Sequence, residues 1–437
     1  MTVNVFGAGL AGCEAAYQLA KRGIKVRLYD MKPHKKTPAH SSENFAELVC
    51  SNSLKAKRVE SAAGLLKEEM RQLDSLLVKC ADQCAVPAGG ALAVDREQFS
   101  LLVTEYIKNH ENIEFISEEV TSIPENEISV VATGPLTSDS LSAYIGDKFG
   151  KHLSFYDAAA PIVSADSVDM EHAFFESRYG KGDGDDYLNC PMNKEEYEIF
   201  YDALVNAERA PVHDFDVRDP KVYEGCMPIE VLAQRGVDTI RFGPMKPVGL
   251  RDPKTGHRPW AVLQLRKETA SGEMYNLVGF QTNLKFSEQK RVFGLIPALK
   301  NAEYHRYGVM HRNTFIDSPR LLNSDFSVKS NNNIFFAGQI TGVEGYMESA
   351  SSGLMAGINA YLRATEKDTV TLPCDTMIGC LSRYISDESV DDFQPRGANF
   401  GVLPALLDRP RDKALRGAMY AQRSLCSLSK FINDKDI

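Results

Sequence analysis

The sequence predicts an α/β fold in which a Rossmann-type nucleotide-binding domain is discontinuous in the chain and carries an inserted α+β domain. Three observations predict it. A glycine-rich strand, turn, helix and strand open the chain between Thr2 and Asp30, and a strand, turn and small-residue helix of similar texture return between Asn332 and Leu362. Between them, from about Tyr156 to Arg306, the pattern shifts to alternating segments of the kind that antiparallel sheets use. At 437 residues the chain exceeds one ordinary core, which fits two domains or one with a large insertion. The division that follows is 1–155 for the first part of the nucleotide-binding domain, 156–305 for the insert, and 306–437 for the second part with a basic C-terminal segment.

In "TVNVFGAGLAGCEAAYQLAKRGIKVRLYD", Val3, Val5 and Phe6 form a short apolar strand, and Gly7-Ala8-Gly9-Leu10-Ala11-Gly12 spells G-x-G-x-x-G. Cys13 to Arg22 is helical by pattern, Gly23 stops the helix, and Ile24 to Tyr29 is a second strand that ends in Asp30. Glycines permit the tight turn and the close approach of backbone to a pyrophosphate, whose charge meets the helix N-terminus. Asp30, 18 residues past Gly12, is placed to accept hydrogen bonds from a ribose hydroxyl.

Two later segments choose the dinucleotide. "ISVVATGP" is a buried strand that leads into Thr133 and Gly134, and "NNIFFAGQITGVEGYMESASSGLMAGINAYL" is a strand, a turn with Gly338 and Gln339, and a helix rich in small residues. Both resemble flavoproteins of the glutathione-reductase type, in which FAD lies across the fold and the last strand-turn-helix holds its flavin end. That type usually has Asp where this chain has Gln339, which leaves Glu344 or Glu348 as the acidic contact. Small residues in the helix also serve close packing.

In the insert, "WAVLQLRK" and "MYNLVGFQTNLKF" read as strands, and "NCPMNKEEYEIFYDALVNAE" reads as a helix with Asn193 as N-cap and Glu196 completing a capping box. "YEGCMPIEVLAQRG" places Cys226 just ahead of a helix that has Pro228 in its first turn and Gly236 at its stop; a helix N-terminus favours a thiolate. Cys190, also followed by proline and a helix, has a similar setting, so local sequence does not separate the two. "GPMKPVGLRDPKTGHRPWAVLQLRK" carries Lys246, Arg251, Lys254, His257, Arg258, Arg266 and Lys267, and either faces a phosphate backbone or is an exposed hairpin loop. His311, Arg312 and Asn313 cluster at the return to the nucleotide-binding domain, where ligand clefts form.

Composition narrows the class. Hydrophobic content of 43% and charged content of 25% describe a globular chain. With no apolar run near the roughly 20 residues of a membrane helix and no signal-like start, the expected location is the cytoplasm. The nine cysteines show no C-x-x-C spacing and no His at a zinc-like interval, so free thiols and no metal are expected, with Cys80 and Cys84 as core residues. A net charge of -9 argues against wholesale nucleic-acid affinity, yet Met31 to Arg58 holds six Lys/Arg against two acids and Gly401 to Ile437 holds seven against four. Lys181 to Phe200 is acidic, with six acids against two bases. "ELVCSNSLKA" sets Cys50 among polar and basic residues, unusual company for a structural thiol.

Taken in order, "AELVCSNSLKA", "CAVPAGGALAVDR", "EGCMPIEVLAQRG", "FGPMKPVGL", "YGVMHRNTFI" and "FFAGQITGVEGYMESASSGLMAG" closely resemble the folate- and FAD-dependent tRNA (uracil-5-)-methyltransferase family, nearly end to end. The resemblance implies methylation of C5 of a uridine in the T-loop of tRNA. Methylenetetrahydrofolate would supply the carbon, reduced FAD the hydride, and NADPH or NADH would regenerate the reduced flavin. It maps the family's two functional cysteines onto Cys50 and Cys226. C5 of uracil becomes nucleophilic once a thiolate adds to C6, and a base must then remove the C5 proton. The resemblance gives one role to each thiol. The helix after Cys226 favours C6 attack there, with Cys50 as proton acceptor, and the reverse assignment stands as the alternative. His311, Arg312 and Asn313 are expected to contact folate, and the basic runs Lys32 to Arg58 and Arg409 to Arg423 to meet tRNA phosphates; no obligate protein partner is expected. Competing readings are the same chemistry on a ribosomal uridine, a flavin disulfide oxidoreductase, and the longer flavoprotein subunit that modifies wobble uridines.

Overall fold

The structure, a computed structural model, describes residues 1–37, 39–150, 153–180, 184, 186–211, 227–435 and 437, without the side chains of 154–156, 311 and 312. Five parallel strands form its main sheet in the order Asn331–Phe336, Ser129–Val131, Thr2–Phe6, Lys25–Asp30 and Ile113–Ser117, and Ser327–Val328 adds antiparallel at one edge. Val3, Val5, Val130, Phe335 and Phe336 are fully buried because both faces of the sheet are covered, which is why these strands read as apolar runs. The first strand lies mid-sheet, and the chain goes to opposite sides of it. The crevice at the carboxyl ends of such strands is where doubly wound folds bind ligands.

Helix Leu10–Ala20 starts three residues earlier than the sequence pattern suggested, because Gly9 takes the N-cap in an extended conformation. Gly12 therefore lies in the first turn, where a Cβ would sit 1.7 Å from the Gly7 carbonyl oxygen. Helix Tyr346–Ala364 packs across it. Glycine is required at the crossing, since a Cβ on Gly353 would lie 2.1 Å from the Ala11 carbonyl oxygen. This core draws on residues from Val3 to Ile145 and again from Phe315 to Leu428, whereas a second core runs from Val163 to Ala302.

The second core surrounds an antiparallel sheet ordered Phe174–Phe175, Leu188–Met192, Ala261–Lys267, Met274–Leu277, Ile162–Ser164 and Tyr304–Arg306. Helix Lys194–Val205 begins with the expected box: Glu196 N donates to Asn193 Oδ1 at 3.0 Å, and Asn193 N donates to Glu196 Oε2 at 2.8 Å. The segment "MYNLVGFQTNLKF" is strand only over Met274–Leu277. Gly279 then turns the chain at φ +79°, close against Pro244, and carries residues 281–283 out of the sheet. Leu153–Ala158 and Met310–Phe315, where the chain crosses between the cores, pair antiparallel with each other. Helix Lys413–Lys435 closes over helix Ala62–Gln72. No helix among the described residues is long and apolar enough to cross a membrane.

Candidate active site

One cavity of about 470 Å³ follows the carboxyl ends of the main sheet. Gly7, Gly9, Leu10 and Ala11 line its near end; Ala8 and Gly12 hold the turn from behind. Gly7 adopts φ +100° with its backbone against Ala132, where a Cβ would meet the carbonyl oxygen at 2.5 Å, while the space beside Gly9 is open. That combination leaves room for a phosphate at a helix N-terminus. Asp30 accepts from Ala8 N at 2.7 Å and from Lys32 N at 2.9 Å, so its carboxylate braces the turn and keeps further lone pairs for a ribose hydroxyl. Thr133 and Gly134 line the middle, with Thr133 Oγ1 bonded to Thr137 Oγ1 at 2.6 Å.

At the far end, Gly338 and Gln339 reach the wall, and Gln339 Nε2 donates to Glu344 Oε2 at 2.6 Å. Burial, and then the nearby Asp157, push the Glu344 carboxyl up to about 8, so it holds its proton at neutral pH. Glu348 is buried, with Oε1 engaged by Lys55 Nζ at 2.7 Å and Ala398 N at 3.0 Å. Its Oε2 has no hydrogen-bond partner among the described residues. An orphaned acceptor on this wall fits an occupant with hydroxyl donors, as the ribityl chain of FAD has.

Cys50 opens into the same cavity, half-buried, with Sγ 3.6 Å from the Ala158 carbonyl oxygen. Its neighbourhood is built by residues that the sequence did not single out. Tyr346, first residue of the long helix, accepts on its hydroxyl from Cys50 N at 2.7 Å and from Ser51 N at 3.1 Å. Burial, and then the adjacent Cys50, hold that phenol well above its ordinary range. Arg96 donates to the Leu48 carbonyl at 2.5 Å and grips Glu268 with two bonds of 3.0 and 3.1 Å. Burial opposes its charge, but Glu268 first, then Tyr346 and Cys50, keep it fully protonated. Arg266 is buried on the insert's central strand and donates to Ser51 Oγ at 2.9 Å and Asn52 Oδ1 at 2.8 Å. It therefore braces the Cys50 loop, contrary to its expected place in a phosphate-facing loop.

Cys226 lies outside the described residues. Just beyond it, Pro228 is the N-cap, one position before the first turn where the sequence put it, of the short helix Ile229–Ala233. Ile229 N donates to the Gln281 carbonyl at 2.7 Å, and Gln281 lines the cavity. Glu230 accepts from Thr282 Oγ1 at 2.9 Å and Asn283 N at 2.8 Å, tying the same segment down. Cys190, its equal by local sequence, proves different: it sits in mid-strand, fully buried, and burial drives its thiol far upward, so it is inert. Asn313 is buried on the cavity wall, and His311 and Arg312 precede it in the strand Met310–Phe315. Among the described residues, no group of three His, Cys, Asp or Glu is placed to hold a metal.

Part of each basic run is engaged by the protein itself, while Lys57, Arg58, Arg409, Arg411 and Lys413 are exposed. Lys32 is buried and donates to the Asn44 carbonyl at 2.7 Å, Lys35 pairs with Glu119 and Lys55 with Glu348. Arg423 donates to the Pro404 and Ala405 carbonyls, and Arg416 to that of Pro410.

Comparisons with known proteins agree with this geometry. The family model described as "Glucose inhibited division protein A" matches residues 2–368. A methylenetetrahydrofolate--tRNA-(uracil-5-)-methyltransferase TrmFO of Acetivibrio thermocellus is 60% identical over 432 residues, covering 99% of this chain and 98% of its own length. Its namesake in Lysinibacillus sphaericus is 56% identical over 437 residues, or 100% and 99%. The solved structure of Aquifex aeolicus GidA superposes with a TM-score of 0.69 at 18% identity, covering 99% of this chain and 76% of that one, a likeness of fold.

Proposed function

The chain belongs to the GidA family and, within it, to the methylenetetrahydrofolate-dependent tRNA (uracil-5-)-methyltransferases, and on that premise we propose how its residues methylate C5 of a uridine in the T-loop. The observation that carries the proposal is the opening of the Cys50 thiol into the cavity that the Gly7–Ala11 turn begins and the Gly338–Ser349 segment ends. Gly7 to Gly12 would hold the pyrophosphate of FAD, Asp30 its ribose, and Thr133, Gly134, Gly338, Gln339, Glu344 and Glu348 its flavin half. When bound, FAD supplies the hydride that completes the methyl group, and NADPH or NADH restores it.

The thiols act on the uracil. The Cys226 thiolate adds to C6, and the electron pair it displaces makes C5 an enolate carbon that bonds to the methylene carbon of the folate, as the first of that carbon's two bonds to nitrogen breaks and its electron pair passes to the nitrogen. Cys50 takes the C5 proton; the bond from the new carbon to the folate nitrogen then breaks, leaving an exocyclic methylene to accept the hydride as the C6–sulfur bond cleaves. Asn313, with His311 and Arg312, would hold the folate against the cavity wall. Tyr346, Arg96 and Arg266 keep the Cys50 loop in place. The expected seams of the insert, 155/156 and 305/306, fall within the strands Leu153–Ala158 and Tyr304–Arg306.

Disulfide exchange uses two neighbouring thiols on one element, and no second cysteine follows Cys50 before Cys80, which disfavours that chemistry. Relatives spanned almost whole by this chain carry the methyltransferase name, which disfavours the longer wobble-uridine subunit. Cys226→Ala tests the scheme: it should abolish methyl transfer and leave the yellow flavin bound, and a colourless variant would mean that the residue serves the fold.

A further inference from the structure

Lys32, Lys35, Lys55, Arg416 and Arg423 of the two expected basic runs are engaged within the protein, and the insert carries a third basic stretch. Resting on the reading that tRNA is the substrate, we propose that Arg241, Phe242, Lys246, His257, Arg258 and Trp260 form the surface on which the RNA seats. Residues 241–258 carry five Lys/Arg against one acid in a chain of net charge -9. The Pro/Gly-rich loop is preformed: Asp252 N donates to the His257 carbonyl at 3.0 Å, Gly256 N to the Asp252 carbonyl at 2.8 Å, and Lys254 N to Asp252 Oδ1 at 2.8 Å. The Lys246 and Arg258 side chains are exposed and bond to none of the described residues.

Beside them stands an aromatic platform. The Arg241 guanidinium lies 3.8 Å from the centre of the Trp260 ring and donates to the Trp260 carbonyl at 2.9 Å, and Phe242, 5.2 Å from the same guanidinium, is 70% exposed. Val262 N bonds to the Met245 carbonyl at 3.0 Å, which holds the Lys246 side of the loop against the Trp260 side. Cations beside an exposed ring fit a phosphodiester chain with unstacked bases, as an RNA loop presents. The chain that leads into this surface is anchored upstream, where Ile229 N donates to the carbonyl of Gln281 on the cavity wall.

The test measures binding of unmodified tRNA to the FAD-loaded enzyme without turnover, followed through the fluorescence of Trp260, the only tryptophan. Lys246→Glu with Arg258→Glu should weaken binding at least tenfold and lower the slope of log affinity against log salt by roughly 1.5. Flavin content and tRNA-independent NADPH oxidation should stay as in the wild type. Phe242→Ala should weaken binding several-fold at an unchanged slope. If charge reversal costs the flavin, Lys246→Gln with Arg258→Gln should still lower the slope. Wild-type affinity and slope in the variants would overturn the surface even if tRNA is methylated. Loss of binding in the variants would support it even if the wild type proved to make no 5-methyluridine.

Discussion

Tyr346 carries two amide hydrogen bonds on one phenolic oxygen, so removing that oxygen orphans both donors in the loop that holds Cys50. Each orphaned buried donor costs about 1–3 kcal/mol, and water at this half-buried loop offsets part of that cost. Tyr346→Phe should therefore lower stability by about 1–2 kcal/mol in urea, and by loosening the loop that places Cys50 it should slow methyl transfer roughly tenfold, a rise of about 1.4 kcal/mol in the barrier. The flavin should stay bound and Cys50 should alkylate more slowly; an unchanged alkylation rate would deny Tyr346 a part in setting the thiol. Glu344 gives a pH signature. Its folded pKa of about 8 stands above the ordinary 4.5, so between those values the folded state binds more protons than the unfolded one. Stability contributed by this group is present below pH 4.5 and lost as pH rises through 8. Melting of the wild type should fall relative to Glu344→Gln from pH 6 to 9, and parallel curves would remove the raised acid.

At the scale of elements, the crossing of Leu10–Ala20 and Tyr346–Ala364 fixes both ends of the cavity at once. Gly353→Ala would drive a methyl into the Ala11 backbone, for which an overpacking cost of about 1–3 kcal/mol is typical. The flavin should be lost with it, measurable by absorbance and denaturation, whereas a fully yellow and equally stable variant would show that the helices can part. This element was legible in the sequence because glycine turns and small-residue helices are local signals. The bracing of Cys50 was not. Tyr346 acts on a residue 296 positions away, and Arg266 looked like part of a basic loop until the sheet turned it inward. Cys190 and Cys226 have similar local sequence, and only the burial of the strand Leu188–Met192 sets Cys190 aside.

For the whole molecule, the two cores divide the work. The discontinuous parallel-sheet core builds the cavity from chain ends that lie more than 300 residues apart, as Gly7 and Gly338 do. The insert contributes Gln281 to the cavity wall, braces the Cys50 loop through Arg266 and Glu268, and presents a basic and aromatic face outward. Sequence patterns revealed this architecture because strand and helix periodicity survive insertion, but they could not show which lysines and arginines were free, since Lys32, Lys35 and Lys55 find their partners only on folding. The central claim is reductive methylation of a tRNA uridine by two thiols beside a flavin. Its most direct test incubates the purified enzyme with NADPH, methylenetetrahydrofolate labelled in the methylene carbon, and unmodified tRNA and ribosomal RNA, and maps the product by mass. The account predicts labelled 5-methyluridine in the T-loop of tRNA from the wild type and none from Cys226→Ala. Absence of label from tRNA, or label only in ribosomal RNA, would contradict it.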